Sequence, residues 1–337
     1  MQPRYCTLIQ YRILLHYEHI ASWIQSKTIR TIFQIDKSTK ISIITVNYNQ
    51  AEVTLELLAS IKRQSFQDVE VIVVDNASRE NRLPELKVAY PDIITIRSEE
   101  NLGFSGGNNL GIESSTGDFL FFVNNDAEIL EGTIPKLLAC FERVPKLGIV
   151  SPMIHYYQPE KEEKMIQYAG TVPLHAITGR NFTIGKFEID RGQYNEAKPT
   201  AHVHGAAMMV KREVIEKVGG MPEEFFLYYE ELDWSDQIRR AGFEVYIEPN
   251  AKIYHKESVS VGKQSDLQIY YTTRNRIYYM RRNKKAWEFA LFSLYIFAVM
   301  LPRHAFGFIR RGQFKKLSIL WRAIAWNYFG KRFTFSK

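Results

Sequence analysis

Carboxylate and carboxamide side chains stand directly after four apolar runs of this 337-residue sequence. In chain order the clusters are Asn47-Tyr48-Asn49, Asp75-Asn76, Asn101 with a glycine-rich stretch, and Asn124-Asn125-Asp126. Any one cluster suits a turn or a helix cap, because Asn and Asp side chains hydrogen-bond to the nearby backbone. Four in succession instead indicate that these oxygens and amides bind one polar ligand.

The apolar runs themselves predict the strands of a sheet. Residues 41–46, 69–74, 92–97 and 118–123 are short, nearly uninterrupted and rich in β-branched or aromatic side chains, as in strands buried on both faces. Helical spacing between the first two runs and over 105–115 predicts the helices that connect the strands. We therefore predict an open α/β sheet, whose ligands bind where the carboxyl ends of the strands meet.

The glycine-rich stretch ENLGFSGGNNLG, residues 100–111, does not match the known phosphate-binding loops. It follows the third run rather than the first, its spacing is not G-x-G-x-x-G, and it lacks the Walker lysine. We interpret it as backbone clearance for a bulky polar ligand, with side-chain contacts from Asn101, Asn108 and Asn109. A glycine-rich turn without a ligand is the alternative.

Composition and charge divide the chain into three parts. Two cysteines, Cys6 and Cys140, indicate a reducing compartment rather than a disulfide framework, and the N-terminus lacks a signal-peptide pattern. The net charge of +7 conceals an acidic middle: residues 281–337 hold thirteen Lys or Arg and one acid, and residues 1–40 hold six and two. We predict a basic helical extension (1–40), a catalytic domain (41–280) and a basic apolar tail (281–337) that reaches an anionic surface.

Eight motifs between about residues 40 and 280 resemble one family. In order they are TVNYN, VVDNAS, ENLGFSGGNN, FVNNDAEI, HGAAMMVKREV, FFLYYEELDWSDQIRRAG, YHKES and YYTTRN. The ordered set resembles an inverting family 2 glycosyltransferase, and its rhamnosyltransferase branch most. The resemblance implies an α/β fold of the GT-A (nucleotide-diphospho-sugar transferase) type: a Rossmann-like open mixed sheet flanked by helices, here with C-terminal amphipathic helices.

The resemblance also implies which residues hold the nucleotide sugar. A carboxylate such as Asp75 can accept two hydrogen bonds from a base imide or from sugar hydroxyls. Arg274 would be a second cation near the diphosphate, and a solvated or salt-bridged surface arginine is the alternative. The implied contacts are Thr45, Asn47, Asp75, Asn76, Asn101, Gly106, Asn108, Asn125 and Arg274.

A metal site is implied where this family carries its D-x-D motif. Here the motif reads Asn124-Asn125-Asp126, so Asp126 would bind Mg²⁺ or Mn²⁺, which take few protein oxygens when a diphosphate supplies others. His255 resembles the later histidine that completes this site in many GT-A enzymes, with a structural histidine as the alternative. Glu128 is a weaker match.

An inverting transfer needs one base to take the proton of the acceptor hydroxyl. The family shows Glu-Asp-x-Asp with the first Asp as base, whereas this chain reads Glu230-Glu231-Leu232-Asp233. We predict Glu231 as the base, with Glu230 and Asp233 as alternatives; Asp233 would otherwise cap a helix that starts at Trp234. This interpretation requires Asp126 and the two glutamates to face one cleft.

The tail predicts contact with a membrane. Its uncharged stretch, 289–302, is shorter than the ~20 residues of a spanning helix, so we predict helices that lie in the interface of an anionic membrane. A cap on the catalytic domain and a homo-oligomer interface are alternatives, and nucleic acid is disfavoured because no binding module is recognised. Leu14, Leu15, Ile20 and Trp23 are candidates for another interfacial segment.

We therefore expect a peripheral enzyme on the cytoplasmic face of a bacterial membrane, active in surface polysaccharide synthesis. It would move rhamnose from dTDP-rhamnose to a glycan or lipid-linked acceptor, with UDP-linked hexoses or galactofuranose as open alternatives. A nucleotidyltransferase would need a glycine-rich basic loop after the first strand, which TVNYNQAEV lacks. The intact acids at 126, 230, 231 and 233 argue against a non-catalytic sugar-binding relative.

Overall fold

A computed structural model describes residues 39–330 of the chain, apart from 65, 67, 159 and 257–264. The apolar candidates of the N-terminal segment, Leu14, Leu15, Ile20 and Trp23, lie outside the described residues.

The first half of the described chain alternates strands and helices. The elements are β1 (Ile41–Asn47), α1 (Ala51–Lys62), β2 (Val69–Asn76), α2 (Leu83–Ala89), β3 (Ile94–Ser98), α3 (Gly103–Ser114) and β4 (Phe119–Val123). The four strands coincide with the four predicted runs and lie in the order β3-β2-β1-β4, all parallel. Their carboxyl ends therefore share one edge, as the sequence predicts.

The second half adds antiparallel strands, so that the sheet is mixed. The elements are β5 (Ala127–Ile129), α4 (Thr133–Arg143), β6 (Leu147–Tyr156), β7 (Ile166–Tyr168), β8 (Lys198–Pro199), β9 (Ala207–Lys211), α5 (Arg212–Val218), a 3₁₀ turn (Glu223–Phe225), α6 (Glu230–Arg240) and β10 (Glu244–His255). The sheet order is β3-β2-β1-β4-β9-β6-β10-β5, with β7 beside β6 and β8 beside β10. Strand β9 is antiparallel to β4 and β6, and β5 is antiparallel to β10.

One face of the sheet packs against α3, α5 and α6. Phe122 of β4 meets Trp234 of α6 edge to face, with ring centroids 5.7 Å apart. Full burial of a side chain of this size stabilises the fold by about 1.5–3 kcal/mol, and the contact fixes α6 over β4. The buried cluster includes Ile44, Ile72, Val74, Leu120, Phe122, Met208, Val210, Trp234 and Ile238.

The C-terminal helices pack on α7 (Asp266–Asn283), which crosses the predicted boundary between catalytic domain and tail. They are α8 (Ala286–Tyr295), a π-helical turn (Ile296–Met300), α9 (Leu301–Arg310) and α10 (Phe314–Phe329). Their inner side chains share a buried cluster with α7 and the 3₁₀ turn: Phe225, Ile277, Tyr279, Met280, Phe292, Ile296, Phe308, Leu320 and Ile324. The tail therefore covers part of the catalytic domain, as in the alternative of a helical cap.

The outer face of the same tail stays apolar and exposed. Ala286–Arg310 forms one helix of 25 residues, and in the described part of the chain it is the one helix long and apolar enough to cross a membrane by length and composition. Its length exceeds the uncharged stretch because the helix continues through Arg303 and Arg310. The exposed apolar side chains include Trp287, Leu291, Leu294, Phe297, Val299, Phe306 and Ile309.

Most of the glycine-rich stretch is helical, in agreement with the helix predicted over 105–115, but its glycines have a role different from the predicted one. It forms α3, and a Cβ on Gly107 or Gly111 would meet side chains of β1, Val46 Cγ1 at 2.9 Å and Ile44 Cγ2 at 2.4 Å. A Cβ on Gly106 would meet Leu102 Cβ at 2.6 Å. These glycines let α3 approach the sheet closely, so the clearance serves packing within the protein rather than a ligand.

We expect Gly111→Ala to lower the free energy of unfolding by about 1–3 kcal/mol, because the new methyl group overlaps Ile44 in a packed core. Gly307→Ala in α9 is the matched control: its Cβ would meet only the mobile end of Arg311, Nη2 at 3.4 Å, and alanine favours a helix by up to about 1 kcal/mol. Denaturant unfolding measures both variants. Equal changes in the two would contradict the packing role of Gly111.

Candidate active site

A cavity of about 540 Å³ opens along the carboxyl ends of β1, β2 and β4. Eight predicted site residues contribute to its wall: Asn76, Asn101, Asn108, Asn125, Asp126, Glu230, Glu231 and His255. Asp126 and the two glutamates therefore face one cleft, as the interpretation of the sequence requires.

Asp126 and His255 meet because of one strand pairing. Strand β5 runs antiparallel to the end of β10, with Ala127 opposite His255, so Asp126 immediately before β5 lies beside the imidazole. His255 Nε2 is 3.1 Å from Asp126 Oδ1, and its Nδ1 is 3.0 Å from Gln167 Oε1. A proton on Nδ1, donated to Gln167, leaves the Nε2 lone pair facing the carboxylate, the orientation that a metal-binding histidine requires.

This pair fits a divalent cation whose other ligands come from outside the protein. The described residues hold no group of three or more His, Cys, Asp or Glu side chains placed to bind a metal. One buried carboxylate and one oriented imidazole still match Mg²⁺ or Mn²⁺ when diphosphate and water complete the coordination. Glu128 does not join them, because it pairs with Arg63 Nη2 at 2.7 Å.

The two glutamates stand at the first turn of α6, after a strained segment of backbone. Phe226, Tyr228 and Tyr229 have φ angles of 65°, 70° and 76°, which are uncommon for residues with a Cβ. The Asn275 side chain holds the segment by donating to the carbonyl oxygens of Phe225, Leu227 and Tyr228 at 2.7–2.9 Å. Strain of this kind persists only where surrounding contacts enforce it, and such segments cluster at functional sites.

Arg274 belongs to that support, and it does not line the cavity. Only 3% of it is exposed, its guanidinium donates to the carbonyl oxygens of Glu224 and Phe225, and it stacks over Trp326 at 4.5 Å. This differs from the predicted contact with a diphosphate and also from a solvated surface arginine. Its hydrogen bonds hold the segment that carries the glutamates.

Glu230 is buried and Glu231 is half-buried. Within the described residues, Oε2 of each is a buried atom without a hydrogen-bond partner. Burial raises the pKa of Glu231 to about 7, and burial together with the charge of Glu231 raises the pKa of Glu230 well above its ordinary value. Two negative charges side by side are disfavoured in such a place, so one carboxylate of the pair can act as a base near neutral pH while the other keeps a proton, and both residues line the cavity.

Asp233 lies outside this cavity, which differs from its place among the candidate bases. It is fully buried; its Oδ1 accepts from Asn283 Nδ2 and its Oδ2 from Gln237 Nε2, both at 2.6 Å, and Arg282 Nε is 3.2 Å away. It does not cap a helix either, because α6 begins three residues earlier. Asp233 ties α6 to α7.

Three predicted nucleotide contacts at the first strand ends also lie outside the cavity wall. Thr45 is fully buried within β1. Asn47 Nδ2 donates to Asp75 Oδ1 at 3.0 Å, Ser78 donates to the same oxygen, and Arg97 Nη1 lies 2.6 Å from Oδ2. Both oxygens of Asp75 therefore already have partners in the protein, and the carboxylate fixes the ends of β1, β2 and β3 together.

The asparagines of the wall combine two tasks. Asn76 Nδ2 donates to Gly103 O at 2.9 Å and to Asn101 Oδ1 at 3.1 Å, which fixes the start of α3 beside β2. Asn108 Nδ2 donates to Phe104 O at 2.8 Å. Asn125 Nδ2 donates to Thr54 Oγ1 at 3.2 Å. These bonds hold the four asparagines in the wall of the cavity, although Asn76 already uses its amide nitrogen and its oxygen within the protein.

The model of the family described as Glycosyl transferase family 2 matches residues 42–219, more than half of the chain. The chain belongs to this family. Among its relatives, low-salt glycan biosynthesis hexosyltransferase Agl10 of Haloferax volcanii is 30% identical over 250 residues, which cover 70% of this chain and 74% of that protein. N-acetylglucosaminyl-diphospho-decaprenol L-rhamnosyltransferase of Mycobacterium tuberculosis is 25% identical over 242 residues, with coverage of 66% and 77%.

The fold of this glycosyltransferase is the predicted GT-A fold. The mannosyltransferase PcManGT from Pyrobaculum calidifontis, solved in complex with GDP-Man and Mn²⁺, superposes with a TM-score of 0.54 at 16% identity over 94% of both chains. The mixed sheet, the flanking helices and the C-terminal helices agree with the expectation from the sequence.

The glycosyltransferase cavity also contains residues that the sequence analysis did not assign, among them His204, Gln167 and Tyr228. The ring centroid of His204 is 6.1 Å from that of His255, and burial lowers the pKa of His204 to about 3, so it is neutral. His204 is the first residue of the motif HGAAMMVKREV, just before β9, and its place in that motif could have identified it as a site residue from the sequence. No motif marks Gln167, which reaches the site through the pairing of β7 with β6.

Proposed function

We propose that this glycosyltransferase moves a sugar from a nucleoside diphosphate to an acceptor hydroxyl with inversion. One observation carries the proposal: the Asp126–His255 pair and the ionisable carboxylate of Glu231 lie in the wall of the same cavity. The volume of about 540 Å³ is within the range of small-molecule sites, roughly 300–1,000 Å³. A nucleotide sugar and the attacking hydroxyl can therefore meet there.

Asp126 and His255 would hold a divalent cation, Mg²⁺ or Mn²⁺, beside the diphosphate of the donor. When bound, such an ion stabilises the negative charge that develops on the departing diphosphate. The chain itself supplies the orientation: Gln167 fixes the imidazole, and the β5–β10 pairing fixes the carboxylate. Asn101, Asn108 and Asn125 would offer hydrogen bonds to the nucleotide and its sugar, while Asn76 shapes the wall beside them.

Glu231 would take the proton of the acceptor hydroxyl as that oxygen attacks the sugar carbon opposite the departing diphosphate. In the described part of the chain its Oε2 lacks a hydrogen-bond partner, and its raised pKa suits proton transfer near neutral pH. Burial and the charge of Glu231 raise the pKa of Glu230, which disfavours two negative charges side by side. We assign the base to Glu231 because the family resemblance places it at the base position.

Our preferred donor is dTDP-rhamnose and our preferred acceptor is a glycan or a sugar on a lipid, as in bacterial surface polysaccharides. The resemblance to the rhamnosyltransferase branch and the name of the mycobacterial relative support this choice. The archaeal relative is named a hexosyltransferase, which keeps UDP-linked hexoses as the second candidate.

We further propose that the apolar face of Ala286–Arg310 lies on the cytoplasmic leaflet of the cell membrane. Trp287, Leu294 and Phe306 are each at least 60% exposed on this helix, which in water is unfavourable for so many large apolar side chains. Basic residues at its C-terminal end and beyond, Arg303, Arg310, Arg311, Lys315 and Lys316, complement anionic lipid.

A thermal unfolding screen tests the donor and the metal together. We expect dTDP-rhamnose to raise the Tm of the full chain in Mn²⁺ or Mg²⁺ but not in EDTA, because a ligand at about 100 times its Kd stabilises the folded state by ~2.7 kcal/mol. UDP-glucose, UDP-galactofuranose and GDP-mannose are measured in parallel. A Tm that no nucleotide sugar raises with either metal would overturn the proposed function, and a larger shift with a UDP-sugar would reassign the donor.

A further inference from the structure

Five basic side chains gather outside the cavity wall, where the segment 174–180 meets α7 and the helix Ala286–Arg310. We call them the arginine cluster: Arg180, Arg276, Arg303, His304 and Arg311. The Arg276 guanidinium donates to the carbonyl oxygen of Thr178, and a Cβ on Gly179 would lie 3.3 Å from Arg276 Nε and 2.9 Å from Phe292. These contacts bring the three elements together.

The C-terminal half of the long helix completes the cluster. The rings of His304 and Phe308 are 6.3 Å apart, and the guanidinium of Arg311 lies 5.7 Å from the centre of the Phe308 ring. Arg303 precedes His304 and Arg180 follows Gly179 in the chain. Burial and the charges of the four arginines lower the pKa of His304.

The cluster lacks the acids that would balance it. In residues 39–330, as far as the structure describes them, none of its five members forms an ion pair with a carboxylate. Within the same described residues, Arg276 Nε is buried without a hydrogen-bond partner. Arg180, Arg303 and Arg311 are exposed, so solvent screens their repulsion and their N–H groups are open to an anion. One guanidinium group can donate two parallel hydrogen bonds to a phosphate group, so phosphate is the anion that suits this site.

The position of the cluster indicates which phosphate it meets. Tyr229, two residues before Glu231, packs against the buried apolar cluster that includes Phe292 and Phe308. Gly179 and His304 contact the same two rings, so the arginine cluster and the turn that carries Glu231 border one apolar cluster. The exposed apolar face of the long helix adjoins it, with Phe306 and Ile309 more than half exposed. A phosphate that joins a sugar to a lipid would fit this position, because its sugar could reach the proposed base while its lipid contacts the apolar face of the helix.

We propose that the arginine cluster binds the phosphate groups through which the acceptor sugar is joined to its lipid. This inference rests on the proposed transfer to a lipid-linked acceptor. The phosphate would sit among the arginines, the lipid chain would follow the apolar face of the helix, and the sugar would reach Glu231 past Tyr229. The headgroups of ordinary anionic phospholipids offer the same chemistry, and the experiment separates the two sources.

Vesicle binding of the full-length protein tests the proposal. Three compositions are compared: phosphatidylcholine alone, with phosphatidylglycerol, and with a polyprenyl diphosphate at equal negative charge. We expect the protein to bind the diphosphate vesicles at least about tenfold more tightly than the phosphatidylglycerol vesicles, as charge-assisted hydrogen bonds to a diphosphate would give. Arg180→Gln and Arg303→Gln should each remove most of that preference. Both side chains are exposed, so neither change disturbs the core.

Arg310→Gln is the matched control, because Arg310 is an exposed arginine of the same helix outside the cluster. It should weaken binding to both charged vesicles equally and keep the preference. Equal affinity of the wild type for the two charged vesicles, or an equal loss in the control, would overturn the proposal in favour of a general anionic surface. Nucleotide-sugar stabilisation of the wild type is a separate measurement: if it fails while the vesicle preference is intact, the proposed function is removed and the phosphate site remains.

Discussion

Replacing Glu231 with Gln lowers the kcat of sugar transfer by about 10²–10⁴-fold, the usual contribution of a general base, while donor binding stays near the wild-type level. The amide keeps the size of the side chain but cannot accept the proton of the acceptor hydroxyl. Release of the nucleoside diphosphate measures kcat, and the Tm shift with the stabilising nucleotide sugar measures donor binding. Glu224→Gln, an exposed glutamate of the preceding 3₁₀ turn, serves as control and keeps wild-type activity.

The pH dependence of the wild type belongs to the same expectation. Since burial raises the pKa of Glu231 to about 7, the base is protonated below that pH and kcat should rise as the pH increases through it. The effect on stability has the opposite sign. Because the pKa of Glu231 is raised from 4.5 to about 7 in the folded state, the wild-type protein loses stability as the pH rises through that interval. Glu231→Gln avoids this loss, so it should have the higher Tm above pH 7. Loss of activity in Glu230→Gln alone would move the base to Glu230, and full activity in both variants would remove the base from this turn.

The polar clusters after the apolar runs predicted the edge of the sheet that carries the site, because the carboxyl ends of parallel strands lie at the same edge. Once residues 41–46, 69–74 and 118–123 form buried parallel strands, their ends must share an edge, and Asp126 must stand at it. His255 is different: it comes to Asp126 through an antiparallel pairing between a three-residue strand and the end of β10. Nothing in the local pattern of either segment encodes that pairing, and only the resemblance to a family pointed to the histidine.

Some predicted site residues lie away from the cavity, because a sequence pattern does not determine which side of a helix or which partner a side chain faces. Glu231 and Asp233 are two positions apart, about 200° around a helix, so the start of α6 decides which of them faces the cavity. That start depends on Tyr229 in a left-handed conformation, held by Asn275 far along the chain. Asp75 has the right chemistry for a nucleotide, but Arg97 on the neighbouring strand already occupies it. Competition between a ligand and protein partners for the same oxygen is decided in three dimensions.

Removal of the charge of Asp126 should abolish the response of the enzyme to the metal. Asp126→Asn keeps the shape of the side chain and removes its charge, so we expect the metal-dependent Tm shift by the nucleotide sugar to disappear and kcat to fall by about 10²–10³-fold, the usual loss when one charge-stabilising group is removed. Glu128→Gln is the matched control two residues away: its carboxylate pairs with Arg63 outside the cavity, and a surface pair of this kind contributes at most about 1 kcal/mol to stability. Both the Tm shift and kcat should survive in that variant. An unchanged metal response in Asp126→Asn, or an equal loss in Glu128→Gln, would contradict the metal site, because Asp126 faces His255 and the cavity whereas Glu128 pairs with Arg63.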